Sequence, residues 1–570
     1  MRYLFFLLMW WPLYMMAQPA TYDEYVDVVV DSLVRRSRSF SNQHNLDSAL
    51  VFAAQATQMA ADCCGNHSLS YASACFNEGR ARHLGNKFNE SIPWYRVSIE
   101  IRRKHLPAMH YDLSKSLNNL AIVYDLLKRY EEAEPLYKEA LQIRLHANKG
   151  GKDLRYADAL DNLAGMYRNM GRYEDAETMG NEAMDIRARE AGKNSEAYAI
   201  SLINRGNLYL SLNDVQSALT FHEQAMQIMQ NIGKDSTQRY ITLLNNTAVD
   251  LQELGQYKEA KVMFEKAAAM HASLVGSADI GYWDMQCNIL LMDYCQGEYA
   301  AAALQMEGLL QDMITRPNDY WLHKGIGSQY LAMIYTKQKR YEEAYRLCEQ
   351  ALHYFEGRLV VYHDKYRFLL RQLYTLGKVL NHETQAYAYL QQLRDSEEQW
   401  LSLSHGFMTE VQLSRIVEDV MNSQHLYLSH AMDQPSVVGD CFDDALKYKG
   451  LLLASTRELK ELVTKDTSLL VTFNTLKASK RHLAAQYTLP IDEQSGVAEL
   501  EATVAGLEEL VKATADETTF WEMPNWQSMQ AHLSQDEAAV EFVFFEPTDL
   551  KSDKEEIYAA LVLLWEVICP

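Results

Sequence analysis

Proline and glycine are scarce in this chain, at 11 and 25 in 570 residues. Both residues interrupt regular helices, so their scarcity over such a length excludes a loop-rich or fibrous protein and favours helices joined by short turns. Eight cysteines, none in paired C-x-x-C spacing, are too few for a disulfide-built scaffold or a zinc-thiolate module. A bridge between Cys64 and Cys75, which flank an expected helix–helix turn, is left open. Positive charge is in deficit: 54 Lys+Arg against 76 Asp+Glu leave −22. That field repels phosphate backbones and anionic lipid and sets nucleic acid aside as a partner. The basic run Arg35-Arg36-Ser37-Arg38 reads as a solvated helix face. Signatures of catalysis are missing as well, with no G-x-x-x-x-G-K-[ST], H-E-x-x-H, G-x-S-x-G or G-x-G-x-x-G. The 17 histidines are dispersed, and His105 and His110 fall off one helical face, so no metal or cofactor is expected.

Long apolar runs are confined to the start. Met1 and Arg2 precede an apolar stretch from Tyr3 to Met16, broken by Pro12 and followed by small residues at Ala17 and Ala20. Fourteen residues are too few to span a bilayer, which needs about 20. The pattern is that of a secretory signal over residues 1–17, so the chain is expected to be exported, to a bacterial periplasm or beyond. No later segment is apolar enough to cross a membrane.

What is present is repetition. Ser116-Leu117-Asn118-Asn119-Leu120-Ala121-Ile122-Val123-Tyr124 returns as Asp161-Asn162-Leu163-Ala164-Gly165-Met166-Tyr167, then around Asn204-Arg205-Gly206-Asn207 and Asn245-Asn246-Thr247-Ala248. A small residue recurs at Gly79, Ala121, Ala164, Gly206, Ala248 and Ala332, with Leu291 in the slot between the last two. Twelve residues later a second small series runs Ser91, Ala133, Ala176, Ala218, Ala260, Ala303 and Ala344. Turn signals such as Gly171-Arg172-Tyr173 and Gly255-Gln256-Tyr257 separate the two series, so each unit of about 42 residues is a helix, a short turn and a second helix. Small residues belong where paired antiparallel helices approach closely.

This pattern resembles the tetratricopeptide repeat (TPR) family, and its Asn-Leu-Ala-x-x-Tyr opening is similar to the long repeats of kinesin light chains. The resemblance covers residues 23–395, eight or nine repeats with degenerate ends. It implies an all-α fold, a right-handed superhelix whose first helices line a concave wall. Asn77, Asn119, Asn162, Asn204 and Asn246 share one phase on those first helices, two residues before the small position. An amide offers donors and an acceptor to an extended backbone without demanding a sequence. The resemblance implies that these five hold ligand backbone, with Arg80 and Arg168 placed for a carboxylate. The alternative is that the asparagines bond a neighbouring helix.

After residue 396 the period is lost. Helix patterns continue to about 520 as a connector, and two strand-like runs follow, Val540–Phe545 and Tyr558–Leu564. The succession Ala445–Leu453, Trp526–Leu533, Ala539–Phe542 and Tyr558–Val562 resembles the entry into a CHAT domain, a caspase-like peptidase carried behind TPR arrays. The resemblance implies a short, incomplete α/β segment over 521–570. Such a peptidase needs a histidine base and a cysteine nucleophile on later strands. No histidine follows His532, Cys569 is penultimate, and Ser404-His405-Gly406 lies before any strand. The expectation is therefore a scaffold binding a protein or peptide rather than an enzyme, or else the sensing half of a peptidase whose catalytic part lies elsewhere. The region after Phe520 is expected to be poorly anchored, its two apolar strands at best pairing with each other and leaving an exposed edge.

Overall fold

The computed structural model describes residues 22–42, 45–147, 151–317, 320–361, 363–405, 423–432, 437–454, 467–514, 526–533, 538–545 and 557–564, with 420 and 434. The signal-like segment 1–17 and the Gly406 of the Ser-His-Gly triplet lie outside them. Among the described residues, nine successive helix pairs fill the repeat region. First helices run Tyr22–Asn42, Leu69–Leu84, Tyr111–Leu126, Leu154–Asn169, Glu196–Ser211, Gln238–Glu253, Ile280–Cys295, Trp321–Lys337 and Asp364–Val379. Second helices run Leu46–Cys64, Phe88–His105, Tyr130–Ala147, Tyr173–Glu190, Val215–Asn231, Tyr257–Leu274, Tyr299–Thr315, Tyr341–Phe355 and Glu383–His405. The architecture is an all-α tetratricopeptide-like solenoid.

Two devices punctuate the repeats. Ser68, Asp153, Ser195 and Thr237 cap the first helix by accepting from the N–H three residues on, at 3.0 to 3.3 Å. Each cap contributes about 1 kcal/mol by satisfying an orphan donor. The turn between the two helices is closed by one left-handed residue: Asn86, Lys128, Gly171, Asn213, Gly255, Gly297, Lys339 and Asn381 all have φ between 59° and 83°. The next N–H then bonds back to a carbonyl of the first helix, as Arg172 to Tyr167 and Gln256 to Leu251, both at 2.8 Å. This is a Schellman closure, which glycine and asparagine favour.

These turns correct the register of one repeat. Gly255, Gly297 and Lys339 are 42 apart, so Ala248 is followed by Leu290, 3% exposed, and not by Leu291. The second series passes through Ala302, fully buried, in place of Ala303. Leu290 fills a slot that other repeats give to alanine or glycine, which hid the phase.

Contacts divide the chain into two compact units, Met1–Val123 with Pro135–Gly151, and Tyr124–Glu134 with Lys152–Pro570. In the first unit, the Tyr95 ring lies over Gly79, where a Cβ would meet it at 3.1 Å. Arg102, 5% exposed, donates at 2.7 Å to both the Asp112 carbonyl and Ser116 Oγ, tying two pairs together. Cys63, Cys64 and Cys75 are not joined in a disulfide, and burial pushes the Cys75 thiol up to about 12.

The second unit uses the same devices. Arg187 donates to Ser201 Oγ at 2.9 Å and Asp158 at 2.7 Å, and pairs with Asp161. His222 and Asp250, both fully buried, pair at 2.5 Å. Leaving one member of such a pair alone costs about 3–5 kcal/mol, so these contacts fix how repeats stack.

The expected boundary at 395/396 falls inside the continuous helix Glu383–His405. Beyond it come a helical segment over 423–432, then Val438–Ala454, Thr467–Tyr487, Val497–Thr514 and Trp526–His532. Strands β1 (Ala538–Phe545) and β2 (Ile557–Leu564) pair antiparallel with Val540 opposite Val562. One expectation fails here. Val543 and Leu561 are buried in one hydrophobic cluster with Leu428, Phe442, Ala445 and the last repeats, so the strand pair is anchored. Val540 and Val562 are about half exposed, so only one face of the ladder is covered.

Candidate functional site: the inner wall of the first helices

Consecutive first helices touch directly, Leu154–Asn169 against Glu196–Ser211 and Trp321–Lys337 against Asp364–Val379, and among the described residues second helices make no comparable contact with each other. The first helices therefore form the tighter, inner wall of each stack, and polar residues at one phase on them become neighbours.

The asparagine series divides. In the first unit, Asn77 is 1% exposed and donates to Ser37 Oγ at 2.9 Å. Asn77 therefore leaves the groove set: its amide ties adjacent first helices, as the alternative reading held. Asn119 is half-buried and donates to the Lys115 carbonyl of its own helix at 2.9 Å. In the second unit, Asn162, Asn204 and Asn246 are half-buried at the wall. Asn204 bonds the Asp161 carboxylate, and Asn246 donates to Asn207 Oδ1 at 3.2 Å. One such bond leaves an Asn side chain with further donor and acceptor capacity.

The two arginines are both half-buried. Arg80, in the first unit, is held below the usual guanidinium range by burial and by Arg38, which stands 42 residues earlier at the same phase. Arg168, in the second, is lowered by burial and partly restored by Asp125. Its Nη2 donates to Asn169 Oδ1 at 3.1 Å, and Asn169 Nδ2 in turn to Asp125 Oδ1 at 3.1 Å.

Sequence reasoning missed the partners of this row. Asp161, whose carboxyl burial raises above the ordinary range despite Arg187, stands one residue before Asn162. Asn207 follows Gly206, and Arg205 donates to Asn181 Oδ1 at 2.6 Å with its guanidinium 5.0 Å from the Phe221 ring centre. All three lie within or beside the repeated Asn-x-small segment, but only one repeat carries each, so no recurrence marks them. Across the second unit the wall thus presents carboxamides and carboxylates in a hydrogen-bonded row. Helix neighbours sit about 10 Å apart, and an extended chain advances about 3.3 Å per residue, so successive rungs match about every third residue of a strand-like ligand.

A second concavity of about 260 Å³ lies between Tyr387, Tyr427, His430 and Arg394. Its cation is committed, since Arg394 bonds Asp444 at 3.1 and 3.2 Å and pairs with Asp440 at 3.1 Å. Among the described residues no group of His, Cys, Asp and Glu could hold a metal ion, and no helix is long and apolar enough to cross a membrane.

The class this geometry defines is confirmed by comparison. Tetratricopeptide-repeat family models match residues 155–231, 210–273, 113–148 and 329–356, so the chain carries tetratricopeptide repeats. No curated protein matches it. Among solved structures it is similar to BtubC from P. vanneervenii, at 22% identity over 45% of this chain and 93% of that one, TM-score 0.32. It is also similar to a putative kinesin light chain repeat protein of Podosopora anserina, at 17% identity over 36% and 97%, TM-score 0.32. The apo form of the quorum sensor NprR from B. thuringiensis aligns at 15% identity over 58% and 88%, TM-score 0.43.

Proposed function

We propose that this chain is an exported scaffold that holds an extended peptide or protein segment along the inner wall of its first helices. The observation that carries the reading is the row Asn162, Asn204 and Asn246, half-buried at one phase with amide capacity to spare. Backbone recognition by carboxamides demands no particular side chain, which suits a protein with no catalytic signature in its sequence. The −22 net charge disfavours nucleic acid as the occupant. The signal-like N-terminus is the ground for proposing export.

A photo-crosslinking residue placed at Asn204 on the inner wall, and separately at exposed Glu223 on the second helix of the same pair, tests the reading in the organism's own envelope extract. A discrete protein adduct at 204 and none at 223 is the expected result. Equal labelling at both positions contradicts it.

The relation to CHAT peptidases is part of the proposal. What supports it is the order of elements, in which the helix from Val438, the helix from Trp526 and the β1–β2 ladder follow one another and pack together. In this view the scaffold serves a peptidase whose catalytic residues this sequence does not supply.

A further inference from the structure

The second unit contains a helical hairpin that the repeat does not account for. Thr467–Tyr487 and Val497–Thr514 pack against each other through Leu483, Tyr487 and Val504. Lys480 pairs with Glu508 at 2.6 Å, and Ser495 N–H donates to Gln486 Oε1 at 2.8 Å, so the hairpin is internally fixed.

It touches the repeats at two places far apart in the array. At one, Arg481 Nη1 meets Glu131 Oε1 at 2.6 Å, and its guanidinium lies 5.1 Å from the centre of the Tyr130 ring. His482 is packed beside Arg129 and Glu132. At the other, Ile491 N–H donates to the Arg358 carbonyl at 2.8 Å, and the hairpin's apolar core takes in Val360 and Leu403. The first contact is at the turn of the third helix pair, the second just past the eighth.

Five repeats separate these contacts along the chain, yet only ten residues of hairpin, from 481 to 491, connect them. Ten residues, mostly helical at about 1.5 Å each, span far less than five stacked helix pairs at about 10 Å per helix. The hairpin is therefore a short bridge between two turns of the solenoid that lie far apart in the chain.

We propose that this hairpin is an intramolecular strap that closes the inner wall between the third and eighth helix pairs. It is released there at the Arg481 contact and stays hinged at Arg358–Val360. The two ends differ in kind, which sets the order of opening. The Arg358 end combines a backbone bond with apolar burial. The Glu131 end rests on an ion pair and a cation–π contact, with Glu131 about half exposed. A ligand reaching the Asn162–Asn246 row from that side must displace the weaker end first. The inference rests on the groove reading, but its test does not require a ligand.

Hydrogen exchange on the full-length chain decides it, comparing wild type, R481E, and R481E combined with E131R. Charge reversal at 481 sets two carboxylates against each other, so exchange in 476–487 and 129–134 is expected to rise at least tenfold. Exchange in Gln238–Glu253 stays unchanged, and the double reversal restores protection. Two results overturn the strap. Unchanged protection in R481E means the contact does not hold the hairpin, and faster exchange throughout the repeats means the hairpin is a structural member of the core. If the strap opens as expected but position 204 still captures no partner, the groove reading alone fails.

Discussion

Two helical glycines test how the repeats are packed, because substitution by alanine is expected to act with opposite sign at each. Gly206 sits on a first helix, and a Cβ there would meet the His222 ring, at 2.5 Å from Nε2 and 2.6 Å from Cδ2. The ring has nowhere to go: His222 is fully buried and its Nδ1 is paired with buried Asp250. Gly180, in the second helix of the pair before, has nothing within 4 Å of its would-be Cβ. Alanine in a helix interior gains about 0.8–1 kcal/mol over glycine. At 180 that gain stands alone, so G180A stabilises by about that amount. At 206 it is set against overpacking of a pinned side chain, about 1–3 kcal/mol. A contact this short beside a buried hydrogen-bonded pair belongs at the upper end, leaving a net loss of about 1–2 kcal/mol. Urea denaturation followed by circular dichroism measures both. Stabilisation by G206A would show that the His222–Asp250 pair does not hold the ring in place.

Lys339 occupies the left-handed turn position, with φ 61°, that other repeats, except that of Lys128, give to glycine or asparagine. That conformation costs a non-glycine residue about 1–2 kcal/mol, so K339G is expected to raise stability by about 0.5–1 kcal/mol in the same assay. His482 is pushed down to about 4 by burial and by Arg129, with Glu132 opposing and Arg481 and Glu131 beside it. A folded-state value below the ordinary 6.5 means the docked hairpin prefers neutral imidazole. Its docking is intact above pH 6.5 and weakens as pH falls towards 4, which exchange rates in 480–487, normalised to intrinsic rates, will show, and H482Q removes the dependence. V543D places a charge where β1 meets Phe442 and Ala445. It is expected to cost more than about 3 kcal/mol and to lower the melting temperature of the whole C-terminal half.

The repeat was legible because its signal is made of residues that the backbone itself demands. Small side chains where helices cross, and a glycine, asparagine or lysine at the left-handed turn, recur in most copies. The register slipped where Leu290 replaced a small residue, and the turn at Gly297 would have corrected it. The inner wall was half legible. The Asn phase is visible in sequence, but whether an amide faces a neighbour or a groove depends on what the preceding first helix offers, 40 or 39 residues earlier: Ser37 captures Asn77, and Asn207 engages Asn246. The anchoring of β1 and β2 was illegible, since it comes from Leu428, Phe442 and Ala445, more than 90 residues upstream, and no local pattern reports such pairing. Neither does any pattern announce that Arg481 meets Glu131, 350 residues earlier.

The central claim is that the inner wall recognises ligand backbone through its carboxamides. The most direct test is calorimetric titration of the segment captured at position 204 into wild type and into N162A/N204A/N246A. Each backbone bond contributes about 0.5–1.5 kcal/mol, so three lost bonds weaken binding at least tenfold. The account predicts that loss with the melting temperature unchanged. Unaltered affinity in a variant that melts markedly earlier would contradict it, and would make the row a set of struts between helices.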